Sequence, residues 1–228
     1  MQQRFHPFAF AGHEWRISES RALFWPAEQA VVVADLHLEK ASWFAQSGQM
    51  LPPYDSRETL ERLLGAVEAN GARRVLCLGD NFHDDHGPER MEPHALGLLN
   101  ELARRVDLVW IIGNHDAALT GVPGTVVEEL HCHGIALRHE VDPLATGPEL
   151  SGHYHPKLRI RIKGRMIARP CALRGDSRMI LPAFGTLTGG MDASDPALIK
   201  ALQPAATIDA IVPTRDKAVQ IRVLPAPN

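Results

Sequence analysis

Cysteine is scarce in this sequence, and long apolar runs are missing. The three cysteines, Cys77, Cys132 and Cys171, are odd in number and scattered, with no CxxC pair. That argues against a disulfide framework and fits a reducing, cytoplasmic setting. No hydrophobic stretch approaches the roughly 18 residues of a membrane span. The opening residues, MQQRFHPFAFAGHEWRIS, lack the charged-then-apolar profile of a secretory leader. Repeats, low-complexity tracts and linkers are absent too. Net charge is only −3 over 228 residues, so no global field demands a nucleic-acid partner. What remains is an ordinary soluble composition, 45% hydrophobic and 22% charged, expected to build a single domain over 1–228. Twelve histidines stand out and invite a search for metal ligands or proton-transfer groups.

Turn chemistry and periodicity predict alternating strands and helices in the first half. EWRIS, ALFW and AVVVAD read as short strands. From Asp55, taken as an N-cap, Leu60, Leu63, Leu64 and Val67 fall at i, i+3, i+4 and i+7, a helix ending near Asn70-Gly71. RRVLCLGD is a buried strand, and Pro93 opens a second helix with Ala95, Leu98, Leu99, Leu102 and Val106 on one face. DLVWIIG and GIALRH are further strands. Beyond GHYHP the texture is β-rich, interrupted by a short helix near Asp195–Ala201. The pattern is α/β.

Four apolar runs end in polar side chains. AVVVA leaves through Asp35 and His37, RVLCLG through Asp80, LVWIIG through Asn114, His115 and Asp116, and GIALR through His139. A loop, GHYH, adds His153 and His155. Sites in open α/β sheets lie beyond the carboxyl ends of the strands, so these exits should converge. Carboxylates, imidazoles and an amide suit borderline-hard cations such as Mn, Fe or Zn. Seven candidates (Asp35, His37, Asp80, Asn114, His139, His153, His155) suffice for two ions if one carboxylate bridges. A pair about 3.5–4 Å apart is what in-line attack at phosphorus uses. His115 would then protonate or stabilise the leaving oxygen, with Asp116 orienting its ring.

In that order, DLH, GDNFH, GNHD, His139 and GHYH resemble the signature of the calcineurin-like metallophosphoesterases. The resemblance implies a four-layer sandwich, two mixed β-sheets packed face to face with flanking helices. It implies one metal on Asp35, His37, Asp80 and His155, a second on Asp80, Asn114, His139 and His153, and His115 at the catalytic histidine position. ALFWPAE, VVVADLHLEKASWFAQSGQMLPPYDSRETL, LGDNFHDDHGPERM, GIALRHE, SGHYHPKLRI and LPAFGTLTGG span most of the chain. They resemble the bacterial ligase-associated DNA-damage-response phosphodiesterase/endonuclease family. That narrower resemblance implies Mn²⁺-dependent phosphodiester hydrolysis and a DNA repair ligase as partner; two divalent ions are expected, Mn²⁺ first, with Zn²⁺, Fe²⁺ or Ni²⁺ as the other candidates. His83 stands three places after Asp80, where the wider superfamily often has an acid. The departure leaves the metal set untouched, and Asn81 and His83 are the expected substrate-binding residues.

Other histidines have bland readings. His131 and His133 compete with His139, which is preferred because it closes an apolar strand. Three adjacent residues, His131-Cys132-His133, do not easily face one ion, and loop or surface is expected there. His6, His13, His86 and His94 are expected to be ordinary. Residues 157–178 carry eight basic side chains against Asp176 alone. This strip either holds a phosphate backbone or is the wet face of a strand, and no aromatic residue interleaves with it. LPAFGTLTGG is expected to be structural.

The expected function is dinuclear phosphodiester hydrolysis on nucleic acid or a nucleotide derivative, in DNA repair. Length argues against a separate DNA-capping domain, so nicks, flaps, single strands or small diesters are the expected substrates. The rival is a hydrolase of a small pyrophosphate or phosphomonoester.

Overall fold

The computed structural model describes residues 4–224. The first sheet begins with antiparallel strands β1 (Phe5–Phe10), β2 (His13–Ser18), β3 (Leu23–Trp25) and β4 (Ala30–Val33). Two helices follow, α1 (Lys40–Gln46) and α2 (Asp55–Asn70), then β5 (Arg74–Leu78), the short α3 (Gly87–Arg90), α4 (Pro93–Arg105), β6 (Asp107–Ile111) and β7 (Thr125–Val127). Strands β4 to β7 run parallel and complete a seven-stranded sheet in sequence order. Parallel strands buried on both faces need continuous apolar sequence, and AVVV and RVLCL supply it.

The second sheet has the order β16-β15-β13-β14-β10-β9-β8. Its members are β8 (Leu130–Cys132), β9 (Ile135–Leu137), β10 (Glu149–Ser151), β13 (Ala172–Arg174), β14 (Arg178–Ile180), β15 (Ile208–Pro213) and β16 (Ala218–Leu224). Strand β10 is parallel to both neighbours, and β13, β15 and β16 are antiparallel. Strands β11 (Lys157–Ile162) and β12 (Arg165–Pro170) stand apart as a hairpin, and α5 is Pro196–Ala201.

Side-chain alternation stacks these parts in four layers. Val31, Val33, Val75, Cys77, Leu108 and Trp110 face Leu60, Leu63, Leu99 and Leu102 of α2 and α4. Their neighbours Val32, Leu76, Leu78, Val109 and Ile111 point the other way and meet Ile135, Leu137, Leu150, Met179 and Ile211 of the second sheet. Trp15 and Trp25 stack in this middle layer, ring centroids 4.5 Å apart. The outer face of the second sheet, Leu173, Ile180 and Ala210, is covered by Leu198 of α5, by Leu202 just after it and by Leu158 of the hairpin. The expected sandwich of two mixed sheets with flanking helices is present. Truncating one of these fully buried leucines to alanine would cost about 2–5 kcal/mol.

Helix boundaries follow the expected residues with one correction. Gly71 ends α2 at φ 57°, Glu92 caps α4 through His94 N and Ala95 N, and Asp195 caps α5 through Ala197 N. Asp55 is not the N-cap of α2. It is the first helical residue, and its carboxylate accepts from Ala41 N at 3.0 Å, tying α1 to α2. The short α1 escapes periodicity because seven residues make too brief a pattern.

Candidate metal centre

Strands β4, β5 and β6 end side by side, and the segments leaving β9 and β10 reach the same rim. Asp35 N donates to Gly79 O and His37 N to Asp80 O, which stitches the first two exits together. Backbone conformation there is costly. Asp35, His37, Asp80, His153 and His155, five of the seven expected ligands, all lie at φ between 45° and 71°. Left-handed non-glycine residues cost about 1–3 kcal/mol each and gather where function fixes the geometry. Close approach adds a second constraint: a Cβ on Gly113 would lie 2.2 Å from Asp80 N and 2.3 Å from its Oδ1.

All seven expected ligands come together, in two groups that share Asp80. In one, His37 Nε2 lies 3.3 Å from His155 Nε2 and 3.7 Å from Asp80 Oδ2, while His155 Nε2 is 3.5 Å from Asp35 Oδ1. In the other, His139 Nε2 lies 2.9 Å from Asn114 Oδ1, 3.0 Å from His153 Nδ1 and 3.4 Å from Asp80 Oδ1. The two oxygens of Asp80 thus look in two directions. His139 Nδ1 meets Leu78 O at 3.2 Å. A carbonyl only accepts, so Nδ1 donates and Nε2 presents a lone pair to the centre. Acceptors packed at such distances repel one another unless a cation sits among them, and the donor set fits a divalent ion on each group.

Electrostatics agree with a neutral, ligating His37. Burial, then the neighbouring His155 and Lys40, pushes His37 down to about 2. Metal ligation requires the unprotonated ring. Burial also pushes His83 down to about 4, helped by Lys40 and His115.

The carboxylates are anchored by backbone donors. His153 N donates to Asp35 Oδ1 at 3.0 Å, and His115 N donates to Asp80 Oδ1 at 3.0 Å. The His115 ring adjoins the first group, 5.1 Å from the His37 ring.

Two expected roles need correction. Asp116 does not orient His115. Its buried carboxylate accepts from Asn81 N, Phe82 N and Gly113 N at 2.8, 3.2 and 2.8 Å, fastening the loop after β5 to the loop after β6. Burial pushes this carboxyl upward against the pull of those donors. The ring of His115 is held instead by the carbonyl of His83, to which Nδ1 donates at 2.9 Å. Asn81 is not placed for substrate: it is fully buried, and its amide donates to Ile111 O at 2.8 Å. His83 does reach the centre, its ring nitrogen within 4.8 Å of those of His37 and His115.

Other sequence expectations divide. His131 sits on the edge strand β8 beside Glu129. Cys132 and His133 do gather with Glu28, but Arg74 already pairs with that carboxylate at 2.5 Å. The basic strip splits in two. Arg159, Arg161, Lys163, Arg165 and Arg169 are exposed on the hairpin, whereas Arg178 is buried against Glu149 and Arg174 pairs with Asp209. LPAFGTLTGG is structural at its start, where Phe184 N donates to Ala34 O. Sequence reading missed Lys40, whose ammonium burial holds below its usual value against the pull of Asp55 and Asp80. It also missed the rings of α1. Their signal was the WF pair six residues after His37.

The calcineurin-like phosphoesterase family pattern matches residues 29–159, more than half of the chain. No curated protein matches the chain. Among solved structures, the chain is similar to the Pseudomonas putida nuclease MPE, with 26% identity over 96% of this chain and 100% of that one and a TM-score of 0.73. With this pattern over the stretch that carries all seven of those side chains, the chain belongs to the calcineurin-like phosphoesterases and is a metal-dependent phosphoesterase.

Proposed function

We propose that this protein is a dinuclear phosphodiesterase that cleaves nucleic acid or nucleotide diesters. The observation that supports it most is the shared carboxylate, with Asp80 Oδ2 turned to His37 and Oδ1 to His139. Asp35, His37, Asp80 and His155 would hold one divalent ion, and Asp80, Asn114, His139 and His153 the other. When bound, such a pair supplies positive charge that acidifies water and offsets charge on the phosphoryl oxygens.

The protein's own groups do the rest. Asp80 and Asp35, pinned by backbone N–H donors, keep their lone pairs fixed. His115, with Nδ1 committed to the His83 carbonyl, has Nε2 free to carry a proton to the departing oxygen. Exposed cations on the hairpin, which begins two residues after His155, offer contacts for a phosphate backbone. The nuclease resemblance supports nucleic acid as the substrate class. Mn²⁺ as resident metal, a repair ligase as partner and DNA repair as the setting rest on the narrower family resemblance, and the cytoplasm as compartment on the scattered, unpaired cysteines. Among the described residues no helix is long and apolar enough to cross a membrane.

The test uses metal-stripped protein reloaded with Mn²⁺, Mg²⁺, Zn²⁺ or Ni²⁺, assayed on a chromogenic diester, the matching monoester, a 2′,3′-cyclic nucleotide and nicked or single-stranded DNA. Diester and DNA turnover without monoester turnover is expected. Monoester turnover alone would favour a small-molecule phosphatase instead.

A further inference from the structure

Three of the four tryptophans, Trp15, Trp25 and Trp110, are fully buried; Trp43 on α1 is 39% exposed. It is not a stray surface residue. The Trp43 ring meets the His83 ring edge-on at 4.8 Å, and Phe44 stacks on His83 at 5.7 Å with planes 26° apart. His83 in turn stacks on His115 at 4.9 Å with planes 24° apart. A continuous run of rings therefore leads from the catalytic-type histidine to solvent. The run is firmly mounted. Arg90 bonds Ser42 Oγ on α1 and both oxygens of Asp84, joining α1 to the loop that carries His83. Lys40, one turn before Trp43, adds positive charge on the same side.

We propose that Trp43, backed by Phe44 and His83, is a nucleobase shelf that stacks the base next to the phosphodiester held at the metal centre. This rests on the phosphodiesterase reading above and deepens it to substrates bearing an unpaired base. Every base offers a π-face, so stacking on an aromatic ring tolerates sequence. A base locked in a duplex cannot present that face. The shelf thus selects single strands, flaps, gaps and small nucleotide diesters over intact duplex. Stacking of this kind is worth about 5- to 150-fold in binding per base. A purely structural Trp43, filling space beside His83, would show no dependence on whether a base is present.

The test compares Mn²⁺-loaded wild type, Trp43→Ala and Trp43→Phe on a dinucleotide and on its abasic analogue, identical in charge and diester linkage. Wild type should favour the base-bearing diester in kcat/KM by about tenfold or more. Trp43→Ala should erase that preference by slowing only the base-bearing substrate, and Trp43→Phe should keep most of it. Equal losses on both substrates, or no loss on either, would overturn the shelf. A second readout is independent of turnover. Because the other three indoles are fully buried, emission quenching by a hydrolysis-resistant phosphorothioate oligothymidylate reports Trp43. Quenching in wild type that is absent with the abasic oligomer supports the shelf, and equal quenching by both contradicts it. If neither dinucleotide is hydrolysed, the phosphodiesterase reading fails while the quenching result still decides the shelf.

Discussion

The ring of His115 is oriented by the backbone of His83, through Nδ1 donation at 2.9 Å, and not by the carboxylate one residue away. Asp116 instead collects three backbone N–H groups from two loops. The pair His115–His83 therefore couples the proton-transfer group to the loop that also carries the aromatic shelf.

Asp116→Asn should act on stability. An amide NH₂ turned toward N–H donors leaves buried groups unsatisfied, at about 1–3 kcal/mol. Urea unfolding should show that loss, and the pH profile of the remaining activity should keep its shape. A shifted pH profile at unchanged stability would restore Asp116 as the partner of His115.

His115→Ala should leave metal content intact and slow diesters with poor leaving groups most, by about 10²–10⁴-fold. Diesters with acidic leaving groups need little proton transfer and should suffer least. Measured metal content that falls with this substitution would contradict the division between ligands and acid.

Gly113→Ala should disturb the bridge without replacing a ligand. The added Cβ would press on Asp80 N and Oδ1, and backbone cannot give way cheaply, so a loss of about 1–3 kcal/mol is expected. Metal affinity, read by chelator competition, should fall alongside stability. Unchanged affinity would show that Asp80 has more freedom than the structure gives it.

Acid should weaken the metal-free protein. His37 is pushed to about 2 and His83 to about 4, both below the ordinary 6.5. Between those values and 6.5 the unfolded chain binds more protons, so stability is full above 6.5 and falls as pH falls. The maximal slope from His37 alone is about 1.4 kcal/mol per pH unit. Urea midpoints of chelator-treated protein should be lower at about pH 5.5 than at about pH 7.5. A flat profile over that window would contradict the neutral burial of these rings.

Much of the site is legible in the sequence because a parallel strand has only one end at which to deliver ligands. AVVVA, RVLCLG and LVWIIG mark three such ends, and the polar residues that follow have no role in a core. The helices α2 and α4 are legible because 16 and 13 residues establish a period. Roles set by backbone geometry are not legible. Nothing in GNHD says that Asp116 faces three N–H groups while His115 turns to a carbonyl 32 positions earlier. The same holds for Asn81, whose amide points inward, and for Trp43, whose partner His83 lies far along the chain. Charge was half legible: Arg159 and Arg161 do lie exposed on a strand, but Arg174 and Arg178 left the strip for buried carboxylates because those acids arrive from other elements.

The most direct test is to count metal in active protein and locate it. Elemental analysis with anomalous scattering should find two divalent ions per chain, one on each side of Asp80, and Asp80→Ala should lose at least one of them and about 10²–10⁴-fold in rate. A single ion in fully active protein, with the Asp80 carboxylate turned away from it, would contradict the shared-carboxylate centre.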